Sequence, residues 1–147
     1  MAPLELHVPE IASVIQLAVA PVFMLTAVGT LLNALNARLG RAVDRRRHLE
    51  DRIPSFATAE AEDARDELAQ ISLRIRYAYL AILFSVVSSV FVCLLIAGAF
   101  IGAFVALDFS RVIGALFVFA VVALLMALLL FLREIFLAVS TPRHVPR

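Results

Sequence analysis

The residues able to do chemistry are few and scattered. His7, His48 and His144 fall in three separate regions, none has a partner one helical turn away, and Cys93 is the only cysteine. A zinc site needs several nitrogen and sulfur ligands at short, regular spacing, and no such set exists here. Phosphate-binding glycine loops, nucleophile elbows and paired catalytic carboxylates are equally missing from the sequence, so neither an enzyme nor a bound cofactor is expected.

What the chain does possess is charge gathered into blocks. Of its 147 residues 63% are hydrophobic and 17% charged, and three stretches carry no charge at all: Ile11 to Ala37, Tyr77 to Leu107 and Val112 to Leu132. About 20 apolar residues suffice for a helix to cross a bilayer, and each stretch is that long. The composition excludes a disordered chain and, with a single cysteine, a disulfide scaffold. A net charge of +1 argues against nucleic acid as a partner. The expected fold class is an all-α membrane protein, with three transmembrane helices and a helical hairpin extending spans one and two.

The expected order is an external N-terminus (1–10), span one (11–37), a cytoplasmic helical hairpin (38–76), span two (77–107), an external turn (108–111), span three (112–139) and a cytoplasmic tail (140–147). Met1 to Glu10 has no lysine or arginine, and arginines follow the first apolar stretch, so that stretch reads as a retained helix rather than a cleaved signal. All 13 basic residues are arginine: nine lie between spans one and two, three (Arg133, Arg143 and Arg147) follow the uncharged stretch that ends at Leu132, and Arg111 alone sits between spans two and three. The positive-inside rule then puts the hairpin and the C-terminus in the cytoplasm and the N-terminus outside.

Within the hairpin, Leu32, Leu35, Leu39, Val43, Leu49 and Ile53 keep a helical stripe, as do Ala64, Leu68, Ile71 and Ile75. Pro54 and Ser55 interrupt them, and Ser55 or Thr58 is a candidate cap for the second helix. A turn at Pro54 sets Arg41 near Glu67, Arg45 near Asp63 and Arg46 near Glu62. The arginines read mainly as solvated or paired structural charges. Arg38 and Arg41, beside the membrane, are the candidates for lipid-head contacts.

In span one, Gln16, Thr26, Gly29, Thr30, Asn33 and Asn36 fall within roughly 160° of one helical face. Polar groups in hydrocarbon seek partners, so this face is expected to meet other helices, in the same chain or a second copy; the competing reading has it line a pore or substrate path. Pro21, on the opposite face, is expected to bend the helix. Span two offers a row of small residues, Ser85, Ser89, Cys93 and Ala97, together with Gly98 and Gly102 as a GxxxG; span three offers Ala120, Ala123 and Ala127. These read as helix-packing positions, Cys93 among them. Arg133 and Glu134 read as a boundary marker closing span three.

Gln16 to Leu25 (QLAVAPVFML), Leu32-Asn33, Arg38-Leu39, Arg41, Val43-Asp44-Arg45 and Phe131-Leu132-Arg133-Glu134 resemble a bacterial family of small integral membrane proteins known only as a domain of unknown function. The resemblance runs from the first span to the end of the last and implies a bacterial envelope protein of this helical layout. It implies no activity, cofactor or partner. Because the polar face of span one and the small-residue rows of spans two and three exceed what one small bundle needs, the expected function is that of a self-associating structural or regulatory subunit in the bacterial inner membrane, its partners the lipid bilayer and further copies of itself. An oligomeric channel or transporter subunit, with the polar face of span one lining the path and a substrate that the sequence does not name, is the alternative.

Overall fold

The computed structural model describes residues 8–105 and 109–140, with side chains from 13 onward except 14 and 140. The N-terminal and tail histidines His7 and His144, Asp108, expected in an external turn, and Arg143 and Arg147 lie outside the described residues. The described chain is all helical: α1 (Val8–Arg52), a short 3-10 turn (Ile53–Ser55), α2 (Thr58–Val105) and α3 (Ser110–Ser140). Each α-helix is long and apolar enough to cross a membrane. Pro9 lies in the first turn of α1, where a missing N–H breaks no helical bond, and α1 runs unbroken through Pro21. Span one and the first half of the polar segment thus form one helix, and the second half of that segment forms one helix with span two.

Local chemistry explains where α1 stops. Pro54 removes an N–H and enters the 3-10 turn, Phe56 turns to extended backbone, and its N–H donates to the Ile53 carbonyl at 3.2 Å. The Ser55 hydroxyl donates backwards to the Arg52 carbonyl at 2.7 Å, closing α1 rather than capping α2. The Arg52 guanidinium lies over the Phe56 ring. α2 then begins at Thr58 with Glu60 in its first turn, favourable at the positive helix end.

The helices divide into two compact units. The first comprises residues 1–31 with 85–124, the second 32–84 with 125–147. In the first unit the buried residues of α2 are Ser85, Ser88, Val92, Leu95 and Ala99, and those of α3 are Ala120 and Ala123. Their alternating spacings of four and three are those of helices crossing at a shallow angle with knobs packed into holes. The Ser88 hydroxyl donates to the Ala120 carbonyl at 2.8 Å, and both residues are fully buried. Phe91 and Phe119 stack with centroids 5.8 Å apart.

In the second unit α1 buries Leu35, Ala42 and Leu49, one residue every heptad, and Ala42 and Leu49 cluster with Ile71 of α2, with Leu68 and Ile75 packed against them. Ala61, Ala64, Ala78 and Ala81 continue the buried side of α2. Small residues here let the helices approach closely.

The exterior of the spans is greasy. No more than 28% of the residues in the most apolar window of any span are buried, and Phe23, Phe104 and Phe136 are all exposed. In water that surface would aggregate; in hydrocarbon it is the surface a spanning helix presents.

Candidate functional site

Among the described residues the densest polar construction lies in the second unit and is centred on Glu134. This residue is 2% exposed. Arg38 of α1 donates to its Oε2 through Nε at 2.8 Å, with Nη2 also 2.8 Å away. Arg74 of α2 donates to Oε1 from Nη2 at 3.1 Å and from Nε at 3.4 Å. Both carboxylate oxygens are occupied, and three helices are tied to one side chain. A buried charge is tolerable only when paired and hydrogen-bonded, and this one meets two cations. The Arg38 guanidinium also sits over the Phe131 ring, 5.6 Å from its centroid, adding a cation–π contact to α3.

Around the clamp opens a cleft of about 250 Å³, lined by Arg38, Arg41, Ala42, Arg45, Ile71 and Arg74. Arg41 is exposed and has no ion-pair partner among the described residues. Arg45 pairs with Glu67 across the hairpin, Nη2 to Oε1 at 2.9 Å, and Arg46 pairs with Glu50 one turn along its own helix at 2.8 Å. These last two pairs are largely exposed and worth little, about 0 to 1 kcal/mol each.

The hairpin register differs from the expected one. Arg45 faces Glu67, not Asp63, and Arg46 pairs within α1 instead of with Glu62. The cause is the turn: three residues of 3-10 helix followed by Phe56 and Ala57 move its centre from Pro54 to Phe56, midway between 45 and 67. Two residues at the centre are four along the pairing, about one helical turn. Arg41 and Arg45, like Asp63 and Glu67, are one turn apart, so the slip keeps basic against acidic.

The other expected positions distribute as follows. Gln16, Thr26, Thr30 and Asn33 are all exposed, as are Gly29 and Asn36. Thr26 and Thr30 satisfy their hydroxyls on the carbonyls of Val22 and Thr26 in their own helix, at 3.3 and 3.1 Å. Gln16, Asn33 and Asn36 make no hydrogen bond within the described residues. Arg38 is committed to Glu134 rather than projecting alone toward the headgroups, whereas Arg41 stands free in the cleft.

On α2, Ser85 is buried, Ser89 half-buried with its hydroxyl on the Ser85 carbonyl, and Cys93 and Ala97 exposed. A row of every fourth residue drifts about 40° per step around a helix, so it leaves the interface that the alternating four-and-three pattern keeps. Cys93 therefore lies on the exposed side of α2. Gly98 and Gly102 are half-buried, and a Cβ placed on Gly98 would meet only Ile113 at 4.0 Å. The side-chain hydrogen bond between α2 and α3 is made by Ser88 and Ala120. Among the described residues no three of His, Cys, Asp and Glu come together as a metal site.

Glu134, Arg74 and Ser88 carry more than their sequence reading gave them. For Glu134 a signal existed: Ala120, Ala127 and Glu134 lie at heptad spacing, and the first two are small buried residues, which turns a boundary carboxylate inward.

Three apolar helices with a buried, charge-paired knot define a small multi-pass helical membrane protein. The chain belongs to the family described as "Protein of unknown function (DUF2721)", whose model matches residues 18–144. Comparison with curated proteins and with solved structures gives no match.

Proposed function

We propose that the chain is a self-associating structural or regulatory subunit of the bacterial inner membrane, joined to further copies through the polar face of α1. The observation that carries this reading is the set of side-chain amides on Asn33 and Asn36, exposed and without a partner in the protomer. Asn33 sits roughly opposite the buried heptad line of Val28, Leu35 and Ala42 and Asn36 about 100° around from it, and the protomer's own packing leaves both exposed. An amide facing lipid forfeits several hydrogen bonds, and a second helix presenting the same face supplies them. Gln16 stands apart among exposed Ile15, Leu17 and Val19, so the contact centres on Thr26 to Asn36, about 15 Å of helix. Gly29 leaves open space within that stretch for the approaching backbone.

The arginine distribution supports a topology with the N-terminus outside and the hairpin and C-terminus cytoplasmic, twelve arginines to one. The test is Asn33→Leu, which keeps the size and removes the amide. Association measured by energy transfer on dilution in detergent weakens by about 0.6 to 2 kcal/mol, the range for interhelical polar contacts. If assembly is unchanged and ion flux through vesicles alters instead, the face lines a path and the reading fails.

A further inference from the structure

We propose that the arginine cleft of the second unit binds a phosphate group, and that its position favours the head of an anionic phospholipid as the source. The inference does not depend on self-association, because every residue it uses lies in one protomer.

Four guanidiniums line the cleft, those of Arg38, Arg41, Arg45 and Arg74, while Glu134 and Glu67 offset two of their charges. The remainder is two positive charges in a cleft of about 250 Å³. The donors are also placed for a ligand. Arg38 and Arg74 spend their Nε and Nη2 edges on Glu134, leaving the Nη1 amino groups without protein partners among the described residues. Arg41 keeps its whole guanidinium fork, the geometry that meets two phosphate oxygens at once.

Glu134 acts here as a positioning residue. By fixing two long, flexible side chains from different helices, it removes in advance much of the ordering cost that a ligand would otherwise meet. The apolar lining from Ala42 and Ile71 suits an ester carrying carbon better than a bare, fully hydrated ion.

The level of the cleft along the helices selects the source. Arg38 is the first charged residue after the apolar run ending at Ala37, and Arg74 lies just before the run beginning at Tyr77. Tyr79, exposed a turn beyond Arg74, is a residue type that gathers at headgroup depth. Arginines at that border meet lipid phosphates before any soluble ligand.

The test uses the full chain in neutral detergent, with bound lipid counted per chain by native mass spectrometry during titration with phosphatidylglycerol and, separately, phosphatidylcholine. Phosphatidylglycerol is expected to bind preferentially, and Arg41→Gln to weaken it about fivefold, the effect of one arginine beside an anionic surface. Arg41 is exposed and unpaired, so this variant keeps the fold. Arg47→Gln, exposed and outside the cleft, is expected to leave binding unchanged. Inorganic phosphate serves as competitor: displacement of the lipid from the wild type but not from the Arg41→Gln background supports the cleft with free phosphate as an additional source, whereas no displacement supports the lipid head alone. Equal binding of the two lipids, or equal losses in Arg41→Gln and Arg47→Gln, would overturn the proposal. Counting per chain keeps the result separate from the oligomeric state, which the same spectra record.

Discussion

Glu134→Gln removes one negative charge and leaves the shape of the side chain nearly intact. In the wild type both oxygens of this 3%-exposed side chain accept from arginines that are themselves only 29% and 24% exposed. Breaking a buried ion pair by deleting one partner costs about 3 to 5 kcal/mol, because the remaining charge stays desolvated. The two guanidiniums keep some access to water and Arg38 keeps Phe131, which places the expected loss near the lower end, about 3 kcal/mol. Glu67→Gln is the matched control: its pair with Arg45 is 31% and 53% exposed on the two sides, and its loss is expected below about 1 kcal/mol. Unfolding followed by circular dichroism in mixed micelles of increasing sodium dodecyl sulfate fraction measures both. A triple variant, Arg38→Met, Arg74→Met and Glu134→Leu, should recover most of the loss, since apolar residues of similar volume need no counter-charge. Equal effects of Glu134→Gln and Glu67→Gln would refute the reasoning, since it rests on the difference in burial.

Ser88→Ala deletes a fully buried hydroxyl from the α2–α3 contact and should cost about 0.6 to 1.7 kcal/mol in the same assay, while Ser89→Ala, whose bond stays within α2, should cost less. Cysteines replacing Arg45 and Glu67 should crosslink faster than cysteines replacing Arg45 and Asp63, and the reverse order would restore a turn centred on Pro54. Reporter fusions near Ser55 and after Ser140 should both signal the cytoplasm; a periplasmic signal at Ser55 would invert the proposed topology.

The three spans were legible because charge is absent from them over lengths that only a bilayer explains, and the helical stripes of the polar segment were legible from Leu35, Leu49, Ile71 and Ile75. The register was not, since it depends on how many residues the turn consumes, and Phe56 and Ala57 carry no signal that distinguishes turn from helix. Glu134 was misjudged for a related reason. A carboxylate beside an arginine at the end of an apolar run has the same local sequence whether it faces water or the neighbouring helices. Only the heptad phase of Ala120, Ala127 and Glu134, set against Arg38 and Arg74 on two distant stretches, separates those cases. The small-residue row of α2 misled in a simpler way, by counting every fourth residue where the packed helices alternate four and three.

The central claim, that the outward polar face of α1 is covered by another copy, is tested most directly by thiol chemistry on that face in native membranes. In a Cys93→Ala background, single cysteines at Thr30 and Asn33 should form disulfide-linked dimers on mild oxidation and react slowly with a membrane-impermeant thiol reagent. A cysteine at the exposed, lipid-side Val118 should react slowly without forming dimers. Rapid labelling at Thr30 and Asn33 with no dimer would contradict the account, because it would put water rather than protein against the face.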